Sequence, residues 1–230
     1  MAVDDVSMNL ELLEIGLGKF GHSVHGFLSA HEALASLRNG DMYDVILMDV
    51  QMPEFDGIAA SRAIRALPGP ARNLPIVALT ANVLPDQIAQ CVAAGMSDHA
   101  AKPIDIMHLN ALISSLSPTK AAPVSETEPI PLANDPLEKL KLKYKDYLAG
   151  IPSEFATILN QEDRRTALTE IRNLCHSIAG TAGSFGFGEV SEAAFSLESV
   201  AQKTSKNGLF TDELVDSLSE FIRVTEQVVV

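Results

Sequence analysis

Short apolar runs alternate with stretches of helical periodicity through residues 1–116. Buried strands are predicted near residues 23–28, 44–49, 74–79 and 97–101, and helices near 7–19, 30–38, 57–67, 84–94 and 104–115. This alternation is typical of parallel strands that are joined by crossover helices. Such strands are apolar on both faces because helices cover both sides of the sheet. We therefore expect a doubly wound parallel α/β domain over residues 1–116.

A further strand is expected at the N-terminus, where it runs into Asp4. Only Met1, Ala2 and Val3 precede this aspartate, whereas a strand usually has about 5 residues. The first strand of a doubly wound sheet is central, and a short one leaves backbone groups of its neighbours unpaired. We expect the natural protein to begin upstream of Met1, or this chain to be a fragment.

The alternation stops at Ser117. Residues 117–136 contain five prolines among small and polar residues, which predicts a semi-extended linker. Beyond it, apolar residues recur at helical spacing over residues 137–149, 152–161, 163–184, 188–204 and 211–228. Residues 137–230 show no convincing strand, so we expect an all-α antiparallel helical bundle as a second domain.

Composition excludes several classes of protein. A net charge of −13 and a pI near 4.8 argue against a nucleic-acid partner, which requires a basic surface to neutralise phosphates. The two cysteines, Cys91 and Cys175, stand far apart without metal-ligand spacing, which predicts buried thiols in a reducing compartment. No apolar run reaches the roughly 20 residues of a membrane span, and the N-terminus lacks a signal-peptide pattern. We expect a cytoplasmic protein without a membrane segment.

Polar residues stand where the predicted strands end. Asp49 directly follows the apolar residues 45–48, and Met52-Pro53 then interrupts regular structure before Gly57 begins the next helical pattern. The other strand ends carry Asp4, Asp5, Thr80 and Lys102. The carboxyl ends of parallel strands meet at one edge of the sheet, where ligands bind. We expect these side chains to form one site around Asp49.

This set of residues, in this order, resembles the acidic pocket of a bacterial response-regulator receiver domain, which has a flavodoxin-like fold. The resemblance implies that Asp49 is the phosphoacceptor. It also implies that Asp5, Asp49 and the main-chain carbonyl of Gln51 bind Mg²⁺, while Asp4 acts through the water shell of the metal. A carboxylate is a weak nucleophile towards phosphorus, so the chemistry requires in-line positioning and neutralisation of charge.

By the same resemblance, Lys102 would pair with the phosphoryl oxygens and the Thr80 hydroxyl would hydrogen-bond them after phosphorylation. Gln51 and Asn82 match variable positions that control attack of water on the acyl phosphate, and the alternative is that they belong to a solvated polar loop. The chain departs from the family at His99, three residues before Lys102, where an aromatic residue usually reports the switch. The output mechanism therefore stays open.

A run of small residues, 175–188, interrupts one predicted helix of the second domain. Glycine inside a helix costs about 0.5–1 kcal/mol relative to alanine, so the glycines beside His176 indicate either a surface kept open for another molecule or close helix packing. With Leu197-Glu198 on the next helix, the run resembles the histidine-containing phosphotransfer (Hpt) domain. The resemblance implies that His176 carries the phosphoryl group and that Gly180 leaves room for a receiver pocket to approach it.

The chain departs from this second family at Ala179, where a lysine usually follows the histidine by three residues. Arg172 stands one turn before His176 on the same helix face, and a guanidinium can contact two phosphoryl oxygens at once. We expect Arg172 to replace the missing lysine. The alternative is a solvated arginine that pairs with Glu170 or with nothing.

The sequence thus predicts a phosphorelay signalling protein that is not an enzyme in the turnover sense. It would accept a phosphoryl group on Asp49 from a histidine kinase or another phosphodonor, and carry or relay one on His176 to or from a downstream receiver or Hpt protein. One alternative is a docking or dimerisation module, controlled by the receiver, whose helical domain does not transfer phosphate. A second is an aspartyl-phosphate phosphatase, although Gln51 stands where such enzymes carry their second acid.

Overall fold

The structure, a computed structural model, describes residues 1–81, 84–116, 135–205 and 211–229. The chain packs as two compact units, Met1–Leu140 and Lys141–Val230. Most of the predicted linker, residues 117–134, lies outside the described residues, and so does Asn82. Among the helices that the structure describes, none combines the length and the hydropathy that crossing a bilayer requires.

The first unit contains a parallel sheet of five strands among its described residues. The strands are β1 (Ala2–Val3), β2 (Gly26–Phe27), β3 (Ile46–Asp49), β4 (Ile76–Thr80) and β5 (Asp98–Ala101). Their spatial order is β2-β1-β3-β4-β5, and every pairing is parallel. This order defines the flavodoxin-like doubly wound fold, in which the strand order reverses between β1 and β3 and opens a ligand crevice. The predicted fold class is confirmed.

Helices alternate with these strands along the first unit. They are α1 (Ser7–Gly18), α2 (Ala30–Arg38), α3 (Gly57–Arg65), α4 (Pro85–Ala93) and α5 (Ile106–Leu116), with a 3-10 turn at Pro70–Asn73. Side-chain caps fix two of the helix starts, because Ser29 accepts from the Glu32 amide and Asp56 from the Ala59 amide. The predicted strands were longer than those observed. The residues that pair lie towards the carboxyl end of each predicted run, and β4 continues one residue beyond it, to Thr80.

Both faces of the sheet are buried. Ile46 and Met48 of β3 are 0% exposed and pack in one cluster with residues of α2 and α3. Leu47, which points to the opposite face because strand residues alternate, is only 3% exposed. All four residues of β3 are buried, and Asp49 is the last of them. The strand is packed on both sides and places Asp49 at the carboxyl edge of the sheet.

The second unit is helical throughout its described residues. Its helices are α6 (Pro136–Leu159), which begins in the first unit, α7 (Arg164–Ala182), α8 (Gly188–Ser205) and α9 (Asp212–Val229). A 3-10 turn, Gly183–Phe185, separates α7 from α8, and this short connection makes the two packed helices antiparallel. The core includes Leu148, Phe155, Leu197 and Phe221, each 0% exposed. The predicted helical bundle is confirmed.

One prediction within the bundle was wrong. The segments 137–149 and 152–161, predicted as two helices, form the single helix α6 with Pro152 inside it. An internal proline costs about 3 kcal/mol or more, but Leu148, Ile151 and Phe155 lie on one stripe of the helix and are all 0% exposed. Burial of this continuous stripe, at about 1.5–3 kcal/mol per large side chain, outweighs the lost hydrogen bond.

Both cysteines are free and buried, as predicted. Cys91 is 3% exposed and Cys175 is 0% exposed. Burial raises the pKa of each thiol above its ordinary value, so both stay protonated and unreactive at neutral pH.

Candidate functional site

Asp49 ends β3 and is only 4% exposed. Its Oδ1 accepts a hydrogen bond from the backbone amide of Gln51 at 3.2 Å, and its Oδ2 accepts one from Lys102 Nζ at 2.7 Å. The Lys102 side chain is 6% exposed. The two residues come from different strand ends and form an ion pair that solvent hardly reaches.

Asp4 lies beside this pair at the end of β1 and is completely buried. Its Oδ2 is 3.0 Å from Lys102 Nζ, so the lysine bridges two carboxylates. The backbone amide of Val6 donates to Oδ1 at 2.9 Å, and the Asn9 side chain donates to both oxygens. Sequence reasoning placed Asp4, Asp49 and Lys102 in one site, and the structure brings these three together.

The pKa values of Asp49 and Lys102 follow from their burial and from the charges beside them. Burial raises the pKa of Asp49 to about 6, the Lys102 cation opposes this rise, and the neighbouring Asp4 adds to it. Burial alone would lower the pKa of the Lys102 ammonium, but the carboxylates of Asp49 and Asp4 raise it above its ordinary value. The lysine is therefore charged, and the cluster holds one more acid than base.

The chemistry of the donor set fits a hard divalent cation. Asp4, Asp5 and Asp49 each place one carboxylate oxygen within 4.8 Å of the others. Asp5 is the exposed member of the trio and faces solvent. Oxygen ligands at a site that is open on one side suit Mg²⁺, which retains several waters when it binds protein. The backbone amide of Gln51 donates a hydrogen bond to Asp49. Binding of Mg²⁺ by the Gln51 main-chain carbonyl stays a prediction.

The loop after Asp49 returns sharply to the site. The Gly57 amide donates to the Val50 carbonyl at 3.0 Å. A Cβ built on Gly57 would overlap the main-chain oxygen of Asp49, so only glycine fits where α3 starts. Within this loop Glu54 has a φ of 62°, in the left-handed region. The loop backbone is thus held against the strand end that carries Asp49.

Thr80 and Lys102 are linked through the backbone. Thr80 ends β4, is 2% exposed and pairs with Ala101 of β5. The Lys102 amide donates to the Thr80 carbonyl at 2.8 Å, and the peptide bond that follows Lys102 is cis. Since Asp49 pairs with Leu79, Thr80 lies one residue further towards the crevice. The predicted action of the Thr80 hydroxyl after phosphorylation remains a prediction.

His99 occupies β5, three residues before Lys102. Its side chain is 37% exposed, and its Nδ1 lies 3.6 Å from Asp98 Oδ1. The Asp98 carboxylate also accepts from the His99 amide at 2.8 Å. A partly exposed histidine, His99, therefore occupies the position where receiver domains usually carry an aromatic residue, and it contacts the Asp98 carboxylate.

His176 of α7 makes a defined contact with α8. Its Nδ1 is 2.9 Å from Glu198 Oε1, and the two side chains are 24% and 21% exposed. The sequence motif contained Glu198 but gave no sign of this contact, because residues 22 apart meet only when α7 and α8 pack. The structure thus adds an acidic partner to the predicted histidine.

Two details around His176 differ from what the sequence suggested. Ala179 is 8% exposed and its carbonyl accepts from Ser191 Oγ at 2.6 Å, while Gly180 is buried. Both positions are packed, which favours close helix packing over an open surface at Gly180. The Arg172 guanidinium hydrogen-bonds Asn173 Oδ1 at 3.3 Å.

Comparison with known proteins identifies two families along the chain. Residues 1–114 match the family described as "Response regulator receiver domain", and residues 144–227 match the "Hpt domain" family. Both are phosphotransfer modules of signalling proteins. The chain therefore consists of a response-regulator receiver domain followed by an Hpt domain.

Individual relatives include two bacterial kinases. The signal transduction histidine-protein kinase BarA of Shigella flexneri is 39% identical over 118 residues, which cover 51% of this chain and 13% of that kinase. The aerobic respiration control sensor protein ArcB of Escherichia coli is 28% identical over 219 residues, which cover 86% of this chain and 27% of that protein. The chain thus matches less than a third of the length of either relative.

Solved structures of receiver domains are also similar. One is the receiver domain of a sensor histidine kinase from Pseudomonas aeruginosa, solved with a magnesium ion in its active-site cleft. It is 35% identical with a TM-score of 0.47, and the alignment covers 51% of this chain and 95% of that chain.

Proposed function

We propose that this chain is a phosphorelay protein that accepts a phosphoryl group on Asp49 and carries or relays one on His176. The observation that carries the proposal is the cluster in which Lys102 bridges Asp49 and Asp4 at the crevice edge, with Asp5 exposed beside it. This arrangement concentrates negative charge, a compensating cation and a nucleophilic oxygen in one place. Phosphoryl transfer requires the nucleophile and the neutralisation of charge, and the carboxylates would hold the metal ion that adds to this neutralisation.

At the receiver, an Asp49 carboxylate oxygen attacks the phosphorus of the donor in line with the bond that breaks. When the donor is a phosphohistidine, the phosphorus–nitrogen bond breaks and its electron pair remains on the imidazole. Mg²⁺ held by Asp5, Asp49 and the Gln51 carbonyl, with Asp4 acting through its water shell, would neutralise charge on the incoming phosphoryl group. Lys102, 2.7 Å from Asp49, would pair with the transferred oxygens, and the Thr80 hydroxyl would hydrogen-bond them.

At the Hpt domain, the contact of Glu198 with Nδ1 of His176 assigns the roles of the two ring nitrogens. A carboxylate accepts a hydrogen bond, so Nδ1 carries the proton and Nε2 carries the lone pair. Nε2 is therefore the nucleophile that takes the phosphoryl group. The negative Glu198 also stabilises the imidazolium character that develops as the nitrogen–phosphorus bond forms.

Arg172 is the proposed electrostatic partner of phosphohistidine in place of the family's lysine. Its guanidinium donates to the neutral Asn173 side-chain amide at 3.3 Å. The donor partners are a histidine kinase or another phosphodonor, and the acceptors are downstream receiver or Hpt proteins. In this function the chain is a phosphotransfer protein and not an enzyme that turns over a small substrate.

Phosphotransfer profiling with purified histidine kinases tests the proposal. Radiolabelled kinases are mixed with the wild-type chain, Asp49→Ala and His176→Ala, and the labelled protein is followed over seconds to minutes. We expect rapid labelling of the wild type by a cognate kinase and its loss in Asp49→Ala. A chain whose Hpt domain serves only for docking would accept label on Asp49 and never on His176, and this result would reduce the proposal to its receiver half.

A further inference from the structure

Asn9 is a buried polar residue that no motif of the sequence singled out. It lies in the first turn of α1 and is 0% exposed. Its Nδ2 donates to Asp4 Oδ1 at 2.9 Å and to Asp4 Oδ2 at 3.0 Å. The amide therefore contacts both oxygens of one carboxylate at the candidate metal site.

The other end of the same amide is unsatisfied. Asn9 Oδ1 is buried and, in the part of the chain that the structure describes, has no hydrogen-bond partner. An unpaired buried acceptor is unfavourable, and an apolar side chain of similar volume would avoid it. The asparagine therefore acts through its donor group, which contacts both oxygens of Asp4.

The contacts of Asp4 show what this donor achieves. Asp4 Oδ2 is shared by Asn9 Nδ2 and Lys102 Nζ, both at 3.0 Å, while Oδ1 is held by Asn9 and by the Val6 amide. Without Asn9, the carboxylate could turn towards Lys102 and strengthen that ion pair. The Asp4 carboxylate would then be less available to a metal ion bound at Asp5 and Asp49.

We propose that Asn9 is a positioning residue of the metal site, which fixes the Asp4 carboxylate between Lys102 and the cation. This inference rests on the proposed function, because it assumes that the acidic trio binds Mg²⁺. Groups that orient the ligands of a metal typically change metal affinity by about 10–100-fold when they are removed. Replacement of Asn9 should therefore weaken Mg²⁺ binding even before any phosphodonor is present.

The test measures the Kd for Mg²⁺ by isothermal titration calorimetry on the full chain. Asn9→Leu keeps the branched shape and the number of side-chain heavy atoms and removes the donor, and Asn9→Ser retains a single hydroxyl donor on a shorter side chain. Leu13→Val is the matched control, because Leu13 is also 0% exposed on α1 but belongs to the apolar core. Thermal unfolding without metal reports the structural effect of each substitution.

We expect Asn9→Leu to raise the Kd by about 10-fold or more, Asn9→Ser to raise it several-fold, and Leu13→Val to lower the unfolding midpoint with an unchanged Kd. If Asn9→Leu does not fold, the comparison of Asn9→Ser with Leu13→Val decides the question. A wild-type chain that binds Mg²⁺ together with Asn9 variants of unchanged Kd would overturn the positioning role. A wild-type chain that binds no Mg²⁺ would instead overturn the proposed metal site itself.

Discussion

Replacement of Lys102 by methionine tests whether the buried acidic cluster depends on its single bridging cation. The Lys102 ammonium lies 2.7 Å from Asp49 and 3.0 Å from Asp4. Methionine approximates the length of the lysine side chain and removes only the charge and the hydrogen bonds. Without bound metal, the variant leaves two carboxylates that face each other in a site largely closed to water.

The expected cost follows from the burial of these carboxylates. Removal of one partner of a buried ion pair typically costs about 3–5 kcal/mol. Proton uptake limits this cost, because a carboxyl that is too unfavourable to ionise becomes neutral instead. For an aspartate with a reference pKa of about 3.9, uptake of a proton at pH 7 costs about 4 kcal/mol. We therefore expect Lys102→Met to lower the free energy of unfolding of the first unit by about 3–4 kcal/mol at pH 7.

The loss of stability in Lys102→Met also depends on pH, and its direction follows from the carboxyl groups. The pKa of Asp49 is already raised to about 6 in the wild type, and loss of the Lys102 cation, which opposes this rise, moves it further above its unfolded value. The added penalty is therefore absent at low pH and grows as the pH rises. At pH 5 proton uptake costs only about 1.5 kcal/mol. The difference in stability between the wild type and Lys102→Met should therefore shrink between pH 7 and pH 5.

Urea unfolding in the presence of EDTA measures these differences, with amide NMR signals of the first unit as the probe. Arg38→Met is the matched control, since it removes an exposed cation from the last turn of α2 and should cost less than about 1 kcal/mol. A loss below about 1 kcal/mol for Lys102→Met at pH 7, or one that does not change with pH, would refute the reasoning.

Two further predictions concern single contacts. Gly57→Ala should destabilise the first unit and slow labelling of Asp49, because its Cβ would overlap the Asp49 main-chain oxygen, whereas Gly18→Ala meets nothing within 4 Å and should preserve both. Thermal midpoints and labelling rates test this pair, and equal behaviour of the two variants would contradict it. Arg172→Ala should slow transfer at His176 several-fold, in line with the about 0–1 kcal/mol of an exposed charge pair, and Arg172→Lys should retain most of the rate. Unchanged transfer by a folded Arg172→Ala chain, followed by quenched-flow labelling, would exclude the role of the arginine.

The receiver half was predictable because its chemistry follows the strand pattern. Each apolar run predicted a strand, and the residue at its end is placed at the crevice by the geometry of parallel sheets. Asp49, Asp4 and Lys102 meet as this geometry requires. Strand lengths were less predictable, because the run predicted as a strand at residues 23–28 pairs in the sheet only at Gly26 and Phe27.

Contacts between helices and sites were not predictable from the pattern. Asn9 reads as an ordinary polar position of α1, and only the packing of that helix against β1 turns its amide towards Asp4. Glu198 meets His176 because α7 and α8 pack, and no local signal specifies their rotation. The predicted break between residues 149 and 152 was wrong, because the buried stripe that makes α6 continuous forms only in the assembled bundle.

The most direct test of the central claim is chemical mapping of label on the full chain. The wild type, Asp49→Asn and His176→Gln are labelled with a small phosphoramidate donor in Mg²⁺ buffer, and protein-bound phosphate is separated by its stability. We predict a hydroxylamine-sensitive acyl phosphate that Asp49→Asn lacks, and an acid-labile, base-stable phosphate that His176→Gln lacks. Persistence of either kind of label in its own variant, with both proteins folded, would contradict the assignment of Asp49 and His176 as the two phosphoryl-bearing residues.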